Sequence, residues 1–158
     1  MNLIIRKAIV SDWEFVKELL LDICFVHKNF RPDLFKAGGL KFSKFQFEEM
    51  LNADDRFVHI CETDDGNQLA YLFSKINIIE NSDMRMDRRI LYLDDLCVKS
   101  SVRGQGVGKT MIEFSKKFAL ENRCDSIELN AWAQNIEAIR LYEKFGFKVQ
   151  RSIYECII

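Results

Sequence analysis

Residues 102 to 110 read Val-Arg-Gly-Gln-Gly-Val-Gly-Lys-Thr, between an apolar run from Ile90 to Val98 and a helix-patterned run. Glycines at 104, 106 and 108 remove the Cβ atoms that would hold a ligand off the backbone, and they accept φ > 0. The amides of such a loop can converge on an anion. The helix that follows adds unsatisfied N–H groups and about half a positive charge at its first turn. A diphosphate is the natural guest. Just upstream, Asp94 and Asp95 stand side by side within Leu91-Tyr92-Leu93-Asp94-Asp95-Leu96-Cys97-Val98. Carboxylates in a half-buried strand are costly unless paired or hydrogen-bonded, so they are candidates for proton transfer or for meeting a cation.

Three kinds of phosphate loop are separated by spacing. A nucleotide-triphosphate loop, G-x-x-x-x-G-K-[ST], agrees at Gly108, Lys109 and Thr110 but requires glycine where Arg103 stands. A dinucleotide fingerprint, G-x-G-x-x-G, finds its third glycine one residue early, and the next strand carries only Glu128 within it. The pattern that is filled is [RQ]-x-x-G-x-[GA], by Arg103, Gly106 and Gly108. A second motif follows about thirty residues on, where 135 to 147 reads Asn-Ile-Glu-Ala-Ile-Arg-Leu-Tyr-Glu-Lys-Phe-Gly-Phe. It fills every specified position of N-x-x-A-x-x-[LF]-Y-x-K-x-G-F. These two motifs, in this order, resemble the GNAT superfamily of acyl-CoA-dependent N-acyltransferases. The opening Ile5-Arg6-Lys7-Ala8 with Asp12 is similar to that superfamily's start, so the resemblance spans the chain and is sharpest from Leu91 to Phe147.

The resemblance implies an N-acetyltransferase that uses acetyl-CoA as cosubstrate in a ternary complex with an amine. It implies a diphosphate over Arg103, Gly104, Gln105, Gly106, Val107, Gly108 and Lys109, and a pantetheine arm beside Leu96, Cys97 and Val98. A backbone N–H of Cys97 or Val98 would polarise the thioester carbonyl. Tyr142 holds the family's tyrosine position, where a phenol donates to the departing sulfur. By spacing alone Tyr142 is also a core tyrosine. Asn135 is a good helix N-cap for local reasons, and the family uses that position to touch the cofactor arm. Lys144 falls toward the nucleotide end.

For the base, adjacent strand residues point to opposite faces, so only one of Asp94 and Asp95 meets the cleft. Asp94, sharing a face with Tyr92 and Leu96, is preferred as base or as guide for a cationic amine; pairing with an arginine and deprotonation through water remain alternatives. Cys97 invites an acyl-cysteine route, but a lone strand cysteine with no histidine nearby in sequence reads as core. His27 and His59 read as core or surface residues. Between Lys28 and Phe47, phenylalanines alternate with lysines and arginine, which suits a roof over the acceptor cleft. The carboxylates suggest a small cationic amine as acceptor. An acyl-CoA-binding module without turnover, and a peptide-amine acetyltransferase, are the other readings.

These residues need elements to hold them. Strands are expected over Leu3 to Ile9, Arg56 to Thr63, Gln68 to Ile79, Ile90 to Val98, Ser126 to Asn130 and Phe147 to Ile157. Asp64-Asp65-Gly66-Asn67 marks a hairpin turn. Helices are expected after a Ser11 or Asp12 cap, from Ser43 to about Asn52, from the glycine loop to about Asn122, and from Asn135 to a Gly146 cap. The order β-α-α-β-β-β-α-β-α-β indicates an α+β domain with a mixed central sheet over 1-158.

Bulk composition sets the outer bounds. The 158 residues carry a net charge of −1, with 48% hydrophobic and 30% charged, as in a soluble globular chain without a broad nucleic-acid footprint. Charge interrupts the first apolar residues, and no stretch approaches eighteen apolar residues, so a cytoplasmic protein with no membrane partner is expected. Five scattered cysteines without C-x-x-C spacing argue for free thiols and against a metal. The apolar run Ile153 to Ile158 is available for a homodimer.

Overall fold

The computed structural model describes residues 2–158. Strands β1 (Leu3–Lys7), β2 (Arg56–Thr63), β3 (Gln68–Ile79), β4 (Arg88–Val98) and β5 (Ser126–Leu129) form one sheet in that order. Pairing is antiparallel from β1 to β4 and parallel between β4 and β5. The helices are α1 (Trp13–Phe30), α2 (Lys44–Leu51), α3 (Val107–Glu121) and α4 (Ile136–Lys144). This is the α+β mixed sheet that the order of elements predicts.

Apolar residues alternate along the central strands and thereby face two cores. Val58, Ile60, Tyr71, Phe73 and Cys97 pack against Val16, Leu19, Leu20 and Phe47 of α1 and α2. Leu69, Leu72, Ile76, Leu91 and Leu93 pack against Val107, Met111 and Ile112 of α3. Each fully buried side chain of this size stabilises the fold by about 1.5–3 kcal/mol relative to exposure.

Local chemistry explains the element ends. Ser43 accepts from Gln46 N and its own N–H donates to the Gln46 side chain, a reciprocal cap that starts α2. Asp12 does not cap α1. Its buried carboxylate instead accepts from Ile9 N at 2.7 Å, from both guanidinium nitrogens of Arg6, and from Gln68, which pins the start of α1 to β1 and β3. Those donors outweigh burial and hold its pKa below the ordinary range. At the other end, Gly146 takes φ +85 and Phe147 N–H returns to Tyr142 O, closing α4.

Two features of the sheet position the site. First, β5 pairs only with Ile90 to Leu93, so no strand among the described residues borders β4 on that side from Asp94 onward. Second, the β3–β4 ladder shifts register between Phe73 and Ser74: Phe73 faces Asp95 and Ser74 faces Leu93, leaving Asp94 as the extra residue of a bulge.

The strand expected over Phe147 to Ile157 does not form; residues 147–158 carry no regular structure. Phe147 still packs, partly buried, against the core on the α3 side, whereas Val149, Ile153, Tyr154 and Ile157 are all at least 79% exposed. Strand propensity is a preference for packing on a neighbour, and the neighbouring edge, four-residue β5, is joined to this segment by a side-chain bond, Gln150 Nε2 donating to Glu128 at 3.1 Å, with no backbone ladder among the described residues.

Candidate active site

The bulge at Asp94 overturns the expectation that its carboxylate and that of Asp95 point to opposite faces. Lys41, from the loop between α1 and α2, places Nζ 3.4 Å from Asp94 Oδ1 and 3.9 Å from Asp95 Oδ2, and donates to Asp94 O at 2.6 Å. Inserting one residue re-aims the strand's alternation, so both acids face α1.

Their surroundings differ. The Asp95 side chain is only 8% exposed, against 31% for Asp94. Burial raises the Asp95 pKa to about 6, with Asp94 adding to the rise while Lys41 and the hydroxyl of Tyr71 oppose it. Tyr71 donates that bond at 3.3 Å and is itself buried, so its phenol stays protonated well above the usual range. The sequence prefers Asp94 as base or as guide for a cationic amine; the more buried carboxyl, with the raised pKa, is that of Asp95.

Both acids line a cavity of about 210 Å³ between β4, β5, α1 and α4. Leu96, Asn135 and Tyr142 share its wall with them. Tyr142 is half-buried, its ring 5.7 Å from that of Phe147, and burial with the Asp95 charge pushes its phenol up to about 12. The group is thus a protonated donor at neutral pH. Asn135 accepts from Ala138 N at 3.3 Å as the N-cap of α4 and still faces the cavity.

The glycine loop sits at the far end of β4. Gly104 and Gly106 hold φ +75 and +90, which side chains rarely adopt, with open space where a Cβ would stand. Gly108 is required for closeness instead, since a Cβ there would lie 3.3 Å from Leu141 Cδ2 and 3.8 Å from Val98 Cγ2. It brings the start of α3 against both α4 and β4. Among the described residues the amides of Gly104, Gly106, Val107, Gly108 and Lys109 find no protein acceptor. Five free donors at a helix start suit an anion with several oxygens. Arg103 turns inward, donating to Val98 O at 3.1 Å, and Gln105 bonds Ser101 O.

Between loop and cavity, the β4 backbone decides which amides are free. Lys99 N–H donates to Leu69 O, toward β3, at 2.8 Å. Counting back by two in an antiparallel ladder, Cys97 N–H also faces β3, whereas those of Leu96 and Val98 face the open edge. Of the two donors expected for the carbonyl, Val98 is the one presented. The Cys97 side chain is buried, its thiol directed at Leu19 O at 3.7 Å and raised by burial to about 12. It is a core thiol. Lys144 is exposed on the last turn of α4 and outside the cavity wall.

Several cavity residues escape sequence reasoning. Lys41 is 53 positions from Asp94, and nothing in their spacing links them. His27, read as core or surface, lines the cavity with Trp132, and the two rings form an aromatic wall with Phe35, whose centroid is 5.5 Å from Trp132. Burial and the Lys41 charge lower the His27 pKa. The Phe–Lys interleaving of 28 to 47 is the one signal of this roof: Phe42 stacks on Phe73 while Lys41 faces the acids. His59, in contrast, lies buried against Phe114 and Phe118 on the other face. No cluster of three or more metal-ligating side chains occurs among the described residues, and all five cysteines are free. None of the described helices is long and apolar enough to cross a membrane.

Known proteins share this framework. An uncharacterized N-acetyltransferase of Methanocaldococcus jannaschii is 23% identical over 113 residues, 72% of this chain and 48% of that protein. The chain spans about half or less of the length of the curated relatives it matches. A mutant of the BH1408 protein from Bacillus halodurans superposes with a TM-score of 0.94 at 24% identity, over 98% of this chain and 99% of that one. AAC(6')-Iy in complex with the bisubstrate analog CoA-S-monomethyl-acetylneamine superposes at 0.69 and 18% identity, over 100% and 99%. These likenesses carry the fold. A family model for the acetyltransferase (GNAT) family matches residues 13–147. By that match, which takes in the glycine loop, the open edge of β4 and α4, the chain belongs to the acetyltransferase (GNAT) family.

Proposed function

We propose that the protein transfers the acetyl group of acetyl-CoA to a primary amine by direct attack within a ternary complex. The observation that carries this reading is one line of features: free amides at Gly104 and from Gly106 to Lys109, an open β4 edge at Leu96 and Val98, and a cavity holding Asp95 and Tyr142. Acetyl-CoA supplies the activated thioester.

The loop amides hold the diphosphate, and Val98 N–H bonds the thioester carbonyl oxygen, favouring charge there as the carbon–nitrogen bond forms. Asp95, mostly ionised at pH 7 with its pKa near 6, accepts a proton from the entering ammonium and passes it to solvent. Tyr142 gives its phenol proton to the sulfur as the carbon–sulfur bond breaks. The proton lost from the attacking nitrogen restores the phenol, so the products are an amide and a free thiol. Asp94 and Asp95, against the single charge of Lys41, favour an amine that arrives as a cation, and the cavity of about 210 Å³ suits a small one. A second reading, a peptide amine, draws support from the further groove beside Tyr92 and Glu128.

Thiol release from acetyl-CoA, followed across a panel of polyamines, amino sugars and lysine peptides, tests the proposal. Acceptor-dependent release supports it. Stabilisation by coenzyme A with no release on any amine supports a binding module instead.

A further inference from the structure

The cavity around Asp95 does not end the concave surface of the sheet. Along β4, Tyr92 lines it, and the next residues on the same face, Ile90 and Arg88, line a second cavity of about 560 Å³. The two meet at one cross-strand pair, Tyr92 opposite Glu128 on β5. None of the described helices lines the second cavity. It is bordered by the 80–87 loop, which contributes Arg85 and Met86, and by the C-terminal segment, which contributes Gln150 and Arg151.

Charge distinguishes the second cavity from the first. Arg85, Arg88 and Arg151 converge on it against the single carboxylate of Glu128. Glu128 already accepts from Gln150. Among the described residues, Arg88 spends one nitrogen on Ser126 Oγ at 2.8 Å, and neither Arg85 nor Arg151 has a carboxylate within ion-pair distance. Burial and the Asp94 charge raise the Tyr92 phenol, and the Arg151 charge opposes that rise from the second cavity. The two cavities adjoin across the Tyr92–Glu128 pair, one lined by two carboxylates and the other by three arginines. Asp94 and Arg88 are six residues apart on one strand, which is roughly 20 Å at about 3.3 Å per residue, less the reach of the two side chains.

We infer that the acceptor is a short acidic peptide segment, its amine in the Asp94–Asp95 cavity and a carboxylate or phosphate three to five residues away among Arg85, Arg88 and Arg151. This rests on the acetyl-transfer reading in its peptide form. An extended peptide of about five residues spans such a groove. Arginine forks match carboxylate and phosphate oxygens, so three of them at one end of the groove select an acceptor by charge.

The test uses two peptides of about five residues, each with one free amine at its first position, differing only in Asp-Glu against Asn-Gln at the last two. The kcat/KM of the acidic peptide is expected to exceed that of the neutral one by about tenfold or more, and the ratio to collapse near 0.5 M salt. In R85Q/R151Q, at two exposed positions, the ratio falls toward one; R88Q gives the same result from inside the groove. Fluorescence anisotropy of a labelled acidic peptide reads occupancy without chemistry. Tighter binding to the parent than to R85Q/R151Q, with no turnover of any amine, upholds the groove and sinks acetyl transfer. Equal turnover and equal binding of the two peptides, a preference that survives in R85Q/R151Q, or a preference for small amines over both peptides overturns the inference.

Discussion

Tyr71 Oη donates to Asp95 Oδ2 at 3.3 Å from within the core, so the acid at the head of the cleft is held from behind by a phenol and from the front by Lys41. That pairing sets the first prediction. With Asp95 near pKa 6 as the group that must be ionised, kcat/KM for an amine acceptor rises through about pH 6 and levels above it. The Tyr71 bond and the Lys41 charge both favour the ionised form, so Tyr71→Phe and Lys41→Met each move this limb to higher pH. A pH–rate profile that does not move in either variant removes Asp95 from the role.

The same shift has a stability consequence. A carboxyl whose folded pKa lies above its ordinary 3.8 favours folding only while protonated, so this contribution is full below pH 3.8 and lost as pH rises through about 6. Replacing Asp95 by Asn should therefore raise stability by up to roughly 3 kcal/mol above pH 6 and by little below pH 4. Urea midpoints across that range measure it. A variant less stable than the parent at pH 8 would contradict the assignment.

Tyr142 should behave as a proton donor that no accessible pH removes, because its phenol titrates near 12. Tyr142→Phe is expected to lower kcat by about 100-fold while the KM for acetyl-CoA stays within a few-fold. A loss confined to KM would make it a packing residue of the cleft.

Two glycines fail for different reasons. Gly106→Ala forces a side chain to φ +90, costing about 1–2 kcal/mol, whereas Gly108→Ala keeps helical geometry and pushes on Leu141 Cδ2 at 3.3 Å. Thermal unfolding should show the first lowered by roughly 3–6 °C, and both with a smaller stabilisation by coenzyme A. Undiminished coenzyme stabilisation in both would place the diphosphate elsewhere.

His59 reports acid stability rather than catalysis. Burial, with Lys7 adding to it, holds its pKa near 4, so its contribution is full above the ordinary 6.5 and lost as pH falls to about 4. Its Nδ1 has no hydrogen-bond partner among the described residues, and its ring packs against Phe114 and Phe118. His59→Phe should erase roughly 3 kcal/mol of stability loss between pH 6.5 and 4, read from chemical unfolding. An unchanged acid limb would assign that loss to other groups.

What could be read before folding was local. The glycine loop, the Ser43 and Asn135 caps, the Gly146 stop and the 64–67 turn each depend on residues within a few positions of one another, and each stands where spacing predicts. Strand periodicity likewise marks β2 and β3 residue for residue. The segment 147–158 shows the limit of that logic, because an apolar β-prone run becomes a strand only beside an edge that accepts it.

The sequence by itself determined the family, the order of elements as far as α4 and the stretch of backbone that offers free amides, since motif spacing and alternation are properties of the chain. Tertiary structure decided which acid matters. A bulge has no signature in an apolar–polar pattern; it arises from register against β3, and it alone turns Asp94 and Asp95 to one side. Lys41 and Tyr71 reach those acids, and His27 and Trp132 their cavity, from separate elements, and the charges and burial that set Asp95 near 6 exist only once those elements meet.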